Sequence, residues 1–192
     1  MAPSDLAEVA ILHGAAFPGF FLSGLGVRPL HELYAAMAKD PTGIAIVAER
    51  DGRIAGFAAG TTAPASYYRR LIFRRWWRFA LAMFPAVLRR PSLISRLAWR
   101  LRSATSSKVA IGETVLLSLA VSPEAQRHGI GRLLTQEFID AARRRGAKQV
   151  SLTTDATGNE RVERFYQSLG FSRRAAYSTP ENRLIHDYVI DV

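Results

Sequence analysis

Apolar positions at three- and four-residue spacing predict a helix over residues 5–17, where Leu6, Val9, Ala10 and His13 share a face behind a Ser4 N-cap. The same period over 28–39 aligns Leu30, Leu33, Tyr34 and Met37, and Asp40-Pro41-Thr42-Gly43 closes it. Between these helices, Phe17-Pro18-Gly19-Phe20-Phe21 reads as an apolar loop. Residues 44–49 and 53–61 flank Asp51-Gly52, the pattern of a β-hairpin. A strand is expected over 113–121, closed by Ser122-Pro123. A helix over 131–145 carries Leu133, Leu134, Phe138, Ile139 and Ala142 at core spacing and stops at Gly146. A strand at 149–154, a helix at 159–169 stopped by Gly170, and strands at 171–177 and 184–190 complete the chain, without internal repeats.

The chain of 192 residues and 21.2 kDa fits one domain, 1–192, carrying an insertion. With 48% hydrophobic and 22% charged residues it belongs with globular sequences, not disordered ones. The absence of cysteine excludes a disulfide framework, a thiolate metal site and a cysteine nucleophile, and agrees with a cytoplasmic setting. Residues 1–5 lack the basic-then-apolar order of a signal peptide. The apolar stretch at 79–88 is interrupted by Pro85 and reaches about half a bilayer span, so no spanning helix is expected.

Charge changes the picture through its placement. The net charge is +10, yet no acid lies between Asp51 and Glu113, and residues 64–108 hold ten arginines and Lys108. The rest of the chain is close to neutral. This block interleaves its cations with Tyr67, Tyr68, Phe73, Trp76, Trp77, Phe79, Phe84 and Trp99, and it reads as helical pieces. A lid whose arginines meet an anionic acceptor, an interfacial segment in a lipid headgroup layer, and a packed insert or dimer surface are its competing readings. Nucleic acid is the weakest of the partners considered.

Chemistry concentrates where a strand gives way to Gln126-Arg127-His128-Gly129-Ile130-Gly131 and then a helix. Two glycines allow a tight turn with N–H groups pointing outward, and the helix adds its positive dipole end, so the segment suits a phosphate or pyrophosphate. Arg127 and Arg132 stand beside it with full charges. It is neither a P-loop nor the three-glycine dinucleotide fingerprint. A purely steric turn is the plain alternative.

The run Val121-Ser122-Pro123-Glu124-Ala125-Gln126-Arg127-His128-Gly129-Ile130-Gly131-Arg132-Leu133-Leu134 resembles the acyl-CoA-binding motif of the GNAT superfamily of acyltransferases, a strand ending in Val-x-Pro followed by Gln/Arg-x-x-Gly-x-Gly/Ala. Asn159-Glu160-Arg161-Val162-Glu163-Arg164-Phe165-Tyr166 resembles its second motif, Asn-x-x-Ala-x-x-Phe-Tyr, and Gln167-Ser168-Leu169-Gly170-Phe171 its ending. The close resemblance covers residues 111–192; the first sixty fit in element order only, and the basic block has no counterpart.

The resemblance implies an α/β fold: a mixed, mostly antiparallel twisted sheet flanked by helices, its fourth and fifth strands splayed, with the helical insertion between the third and fourth. It implies acetyl-CoA as donor; no metal is expected, because no set of His, Asp and Glu has metal-ligand spacing. The pantetheine arm is expected to pair with Leu119, Ala120 and Val121. The pyrophosphate is expected on the N–H groups of Arg127, His128, Gly129, Ile130, Gly131 and Arg132, after Gln126, with Asn159 near the pantetheine or a backbone group. An amine, of a small molecule such as an amino sugar, is expected to attack the thioester directly. Tyr166 matches the acid that protonates the leaving thiolate; otherwise it packs beside Phe165. The glutamate that many relatives carry six residues before the closing valine is replaced by Val115. Glu113, two residues earlier and on the same strand face, is then the candidate base, or else a strand-end carboxylate in solvent. His186 on the last strand is a weaker candidate facing the acceptor, and Asp155 a turn cap. The apolar loop with Phe17, Phe20 and Phe21 is expected to wall the acceptor pocket or simply to pack. A membrane- or partner-binding module with little catalysis is the alternative function, and a homodimer is compatible with either.

Overall fold

Asp51 and Gly52 turn the chain with φ of 53° and 72°, and the backbone twist of two positive-φ residues matches that of paired strands. The hairpin so formed joins β1 (Gly43–Arg50) to β2 (Arg53–Thr61) in a computed structural model that describes residues 1–64, 66, 67, 70, 112–179 and 182–192. Ahead of it lie α1 (Leu6–Ala16), α2 (Phe21–Gly24) and α3 (Val27–Lys39). After it come β3 (Glu113–Val121), α4 (Ile130–Arg144), β4 (Gln149–Asp155), α5 (Glu160–Gln167), β5 (Ser172–Ser178) and β6 (Leu184–Asp191). Ser4 does not cap α1: a 3-10 turn over Pro3–Asp5 precedes it, and the Asp5 carboxylate accepts from the Ala2 N–H at 2.6 Å. The short α2 begins at Phe21, the last residue of the stretch expected as loop, and was not foreseen.

The six strands form one sheet in the order β1-β2-β3-β4-β6-β5, antiparallel except between β3 and β4. Period-two alternation gives the sheet two apolar faces. Phe57, Ala59 and Ala120 pack with α1 and α3 around Val9, Leu30 and Tyr34. Ala58, Leu116, Val150, Leu152 and Tyr188 pack with Leu134, Phe138 and Ile139 of α4 and Tyr166 of α5. Helix α4 lies so close to β2 that a Cβ on Gly60 would meet Phe138 Cζ at 2.5 Å and the Val115 carbonyl oxygen at 2.1 Å.

Among the described residues six strands are present and none precedes α1, so the 64–108 block falls between the second and third of them in this count. Its expected helical character lies outside the described residues apart from its first positions. Tyr67 N–H there donates to Ala63 O at 2.9 Å, and Arg70 pairs with Asp40 at 3.0 Å. No helix among the described residues is long and apolar enough to cross a membrane.

Candidate active site

The site begins where β3 and β4 part. They pair only from Glu113 opposite Gln149 to Leu116 opposite Leu152, while β4 stays paired with β6 as far as Asp155. On its other side β3 stays paired with β2 to Val121, with one extra residue, Leu117, between the rungs of Leu116 and Ser118. That bulge bends the strand at the point where its pairing with β4 ends. Residues 117–121 thus present an open edge of backbone groups toward β4, and Leu119, Ala120 and Val121 lie on it.

At the end of that edge the chain makes a 3-10 turn, Pro123–Ala125, and enters α4 through Arg127 at φ 66° and Gly129 at φ 77°. The first helical bond is Leu133 N–H to Gly129 O at 3.0 Å, and no side chain caps the helix. Among the described residues, none accepts a hydrogen bond from the backbone N–H groups of Arg127 to Arg132. Six consecutive donors, left-handed turns and a helix N-terminus form an anion cradle. The loop is braced by Gln126 Nε2 donating to Val121 O at 3.4 Å and by His128, whose Nδ1 sits 2.9 Å from the Gln126 carbonyl. Arg132 spends one guanidinium N–H on Ser168 Oγ at 3.1 Å, tying α4 to α5; Arg127 is exposed. A Cβ on Gly131 would lie 3.5 Å from Phe165 and 3.7 Å from Val121. The cradle and the open edge therefore meet around Gly131.

Across the opening, Asn159 precedes α5. Its Nδ2 donates to Asp155 O at 3.0 Å and its carbonyl accepts from Val162 and Glu163, so it fixes how the helix leaves β4. Tyr166 is 7% exposed between Phe165 and Phe171, with ring centroids 5.0 and 5.6 Å away. Burial pushes its phenol above the ordinary value, so it keeps its proton at neutral pH. The hydroxyl has no hydrogen-bond partner among the described residues and is not one of the fully sealed polar atoms.

Glu113 is placed elsewhere. It is 2% exposed at the closed end of the β3–β4 pair, four residues or about 13 Å of strand from the bulge. Arg174 grips both its oxygens, at 2.9 and 3.1 Å, and bonds Asp187 at 2.9 Å. It is not the solvent-facing strand-end carboxylate of the plain alternative: its buried carboxylate is paired with the exposed Arg174 side chain. Arg174 is the bulge residue of β5, 61 positions away, and nothing local in the sequence announces it. Asp155 is likewise an ion-pair partner, held by Arg183 through Nε at 3.1 Å and through Nη2. Arg183 also lies 4.5 Å over the Phe20 ring, joining the α1–α2 loop to the end of β4. His13 belongs to the core, 2.6 Å from Tyr34 Oη, and burial lowers it to about 4. His186 is paired with Glu163, a contact the sequence pattern did not reveal. Among the described residues no cluster of three or more His, Asp or Glu is arranged to hold a metal ion.

A strand edge freed by splaying leads into a Gly-x-Gly anion cradle and is faced by a helix carrying a tyrosine. The Acetyltransferase (GNAT) family matches residues 12–171, and the chain belongs to that family. It is 36% identical over 81 residues to the [ribosomal protein bS18]-alanine N-acetyltransferase of Escherichia coli K12, covering 40% of this chain and 54% of that one. It is 37% identical over 84 residues to the mycothiol acetyltransferase of Renibacterium salmoninarum, covering 42% and 24%. The chain thus spans about half the length, or less, of these curated relatives. In fold it is similar to a ribosomal-protein-alanine N-acetyltransferase from Brucella melitensis, at TM-score 0.67 and 17% identity, over 100% of this chain and 97% of that one.

Proposed function

We propose that the chain is an acetyl-CoA-dependent N-acetyltransferase in which a primary amine attacks the thioester directly. The observation that carries this reading is the continuity of the open β3 edge with the six N–H groups of Arg127 to Arg132, which have no acceptor among the described residues. Acetyl-CoA supplies an acyl carbon activated by a thiol leaving group. Leu119, Ala120 and Val121 offer main-chain groups to the pantetheine amides, as an added strand would receive them. The cradle, with Arg127 beside it, holds the pyrophosphate. Asn159 sets the angle of α5, and Tyr166 hands its proton to the departing sulfur, a role suited to a phenol that burial keeps neutral.

A peptide α-amine is the acceptor class we favour, because of the relatives named for alanine N-acetylation. With an ordinary pKa near 8, an α-amine is partly neutral at physiological pH, unlike a lysine side chain. The small-molecule amine expected from the sequence, an amino sugar included, is the second class, in line with the mycothiol acetyltransferase match. The lipid-contact and binding-module readings rest on residues 64–108, nearly all outside the described residues, and no observation favours them. Calorimetric titration with acetyl-CoA and with CoA, followed by thiol-release assays against alanyl peptides and an amine panel, tests the proposal. Micromolar binding of both and amine-dependent thiol release are expected; binding of neither defeats it.

A further inference from the structure

With Glu113 committed to Arg174, the site as described has an acid and no base. We propose that His186, oriented by Glu163, takes the acceptor's proton at Nε2, beside the Thr154 hydroxyl; this rests on the acetyl-transfer reading above.

His186 Nδ1 and Glu163 Oε1 are 2.5 Å apart. The two side chains are 12% and 17% exposed, withdrawn from bulk water without being sealed. A carboxylate accepts only, so the imidazole donates from Nδ1, and at neutral charge its lone pair sits on Nε2. Among the described residues nothing bonds Nε2, and it is not a fully enclosed atom, so it opens to accessible space. The same carboxylate stabilises the imidazolium once a proton arrives, the part played by the orienting acid of catalytic triads.

Position ties this pair to the opening. His186 stands opposite Thr154 in the β4–β6 ladder, and Thr154 belongs to the stretch of β4 that β3 has left. Alternation from Val150 and Leu152 places Thr154 on the α5 side of the sheet, with His186 and Tyr188. Thr154 is 8% exposed, yet its hydroxyl has no partner, an arrangement costly to keep unless a ligand or water completes it. Glu163 is one helical turn before Tyr166 on α5. One short helix therefore carries both the proton donor to the sulfur and the carboxylate that sets the base. The groups around the imidazole are Glu163 from α5, Tyr188 on its own strand with rings 6.4 Å apart, Thr154 from β4 and Ala176 from β5. The charges that act on the neighbouring Tyr188 are those of Glu163 and of Arg173, its β5 partner.

The protons balance as follows. The acceptor ammonium gives one proton to His186 Nε2, and the neutral nitrogen bonds to the acyl carbon. The C–S bond breaks with its electron pair on sulfur, which receives the Tyr166 proton. The surplus proton of the acylated nitrogen returns through water to Tyr166, and His186 releases its own to solvent.

Two measurements on the full chain test this. Long-range proton–nitrogen NMR of the His186 ring is expected to show hydrogen on Nδ1 in the neutral form and a shift on saturation with acetyl-CoA. A ring that does not respond to bound acetyl-CoA lies outside the cleft and overturns the proposal whatever the acceptor. With any amine the wild type acetylates, H186Q is expected to lower kcat/KM by about 100-fold while acetyl-CoA affinity holds, and to remove the acid limb of the pH profile. E163Q is expected to give a smaller loss of kcat/KM, again with acetyl-CoA affinity unchanged, since the imidazole loses the partner that orients it. An H186Q enzyme with wild-type kcat/KM and profile, or one that loses acetyl-CoA binding together with turnover, makes the pair a strut between α5 and β6 and overturns its role. A wild type that binds no acetyl-CoA defeats the acetyl-transfer reading itself, and the base falls with it.

Discussion

At Tyr166 the same burial that packs the ring against Phe165 and Phe171 also holds the proton on its oxygen. Tyr166→Phe keeps the packing and removes that proton, so turnover should fall by about 100-fold with acetyl-CoA affinity unchanged; unchanged turnover in a steady-state assay would remove the assigned role. At the two loop glycines, different physics should separate in experiment. Gly129 sits at φ 77° with no atom near a built Cβ, so Gly129→Val acts through backbone strain of about 1–2 kcal/mol and lowers both thermal stability and acetyl-CoA affinity. Gly131 is helical and has room for a Cβ, so Gly131→Leu should leave the melting temperature nearly intact and block binding in calorimetry. His13 gives a pH signature of another kind. Its value is depressed to about 4, so below pH 6.5 the unfolded chain takes up a proton that the folded chain refuses. Stability should be full above pH 6.5 and decline as pH falls toward 4, by up to about 1.4 kcal/mol per unit; urea titrations of His13→Gln should lose that slope. The loop was legible in the sequence because its backbone demands leave glycines behind. The pairing of Glu113 was not legible, because Arg174 is brought to it only by the folding of the sheet.

Among the described elements, the strand and helix periods and their glycine stops foretold the six strands and the long helices. They did not foretell the order β4-β6-β5, the extra residue at Leu117, or how far β3 and β4 run together, because these are properties of pairing and not of one strand. The Arg174 link across β3, β5 and β6 makes a prediction at this level. Arg174→Met removes the guanidinium from the buried Glu113 carboxylate and should cost about 1–3 kcal/mol in urea unfolding. Glu113→Gln should also destabilise, yet the folded fraction should acetylate at an undiminished rate; a catalytic loss without a stability loss would reinstate Glu113 as a base.

For the molecule as a whole, the charge imbalance divides the chain between a near-neutral framework and the 64–108 block. One arginine of that block, Arg70, is already spent inside the framework. It bonds both oxygens of Asp40 and the hydroxyls of Thr42 and Ser66, at the place where α3 turns into β1. Any anionic partner of the block therefore competes for the arginines beyond it.

The parted strands also make the protein a reporter of its own occupancy. Backbone amides on the open edge of residues 117–121 have no strand partner among the described residues and should exchange with deuterated solvent far faster than those facing β2. A bound thioester substrate completes the ladder, so the same amides become protected. At a ligand concentration of about 100 times Kd the folded state also gains about 2.7 kcal/mol. Mass-resolved exchange across this one peptide would thus read out binding before any acceptor is known.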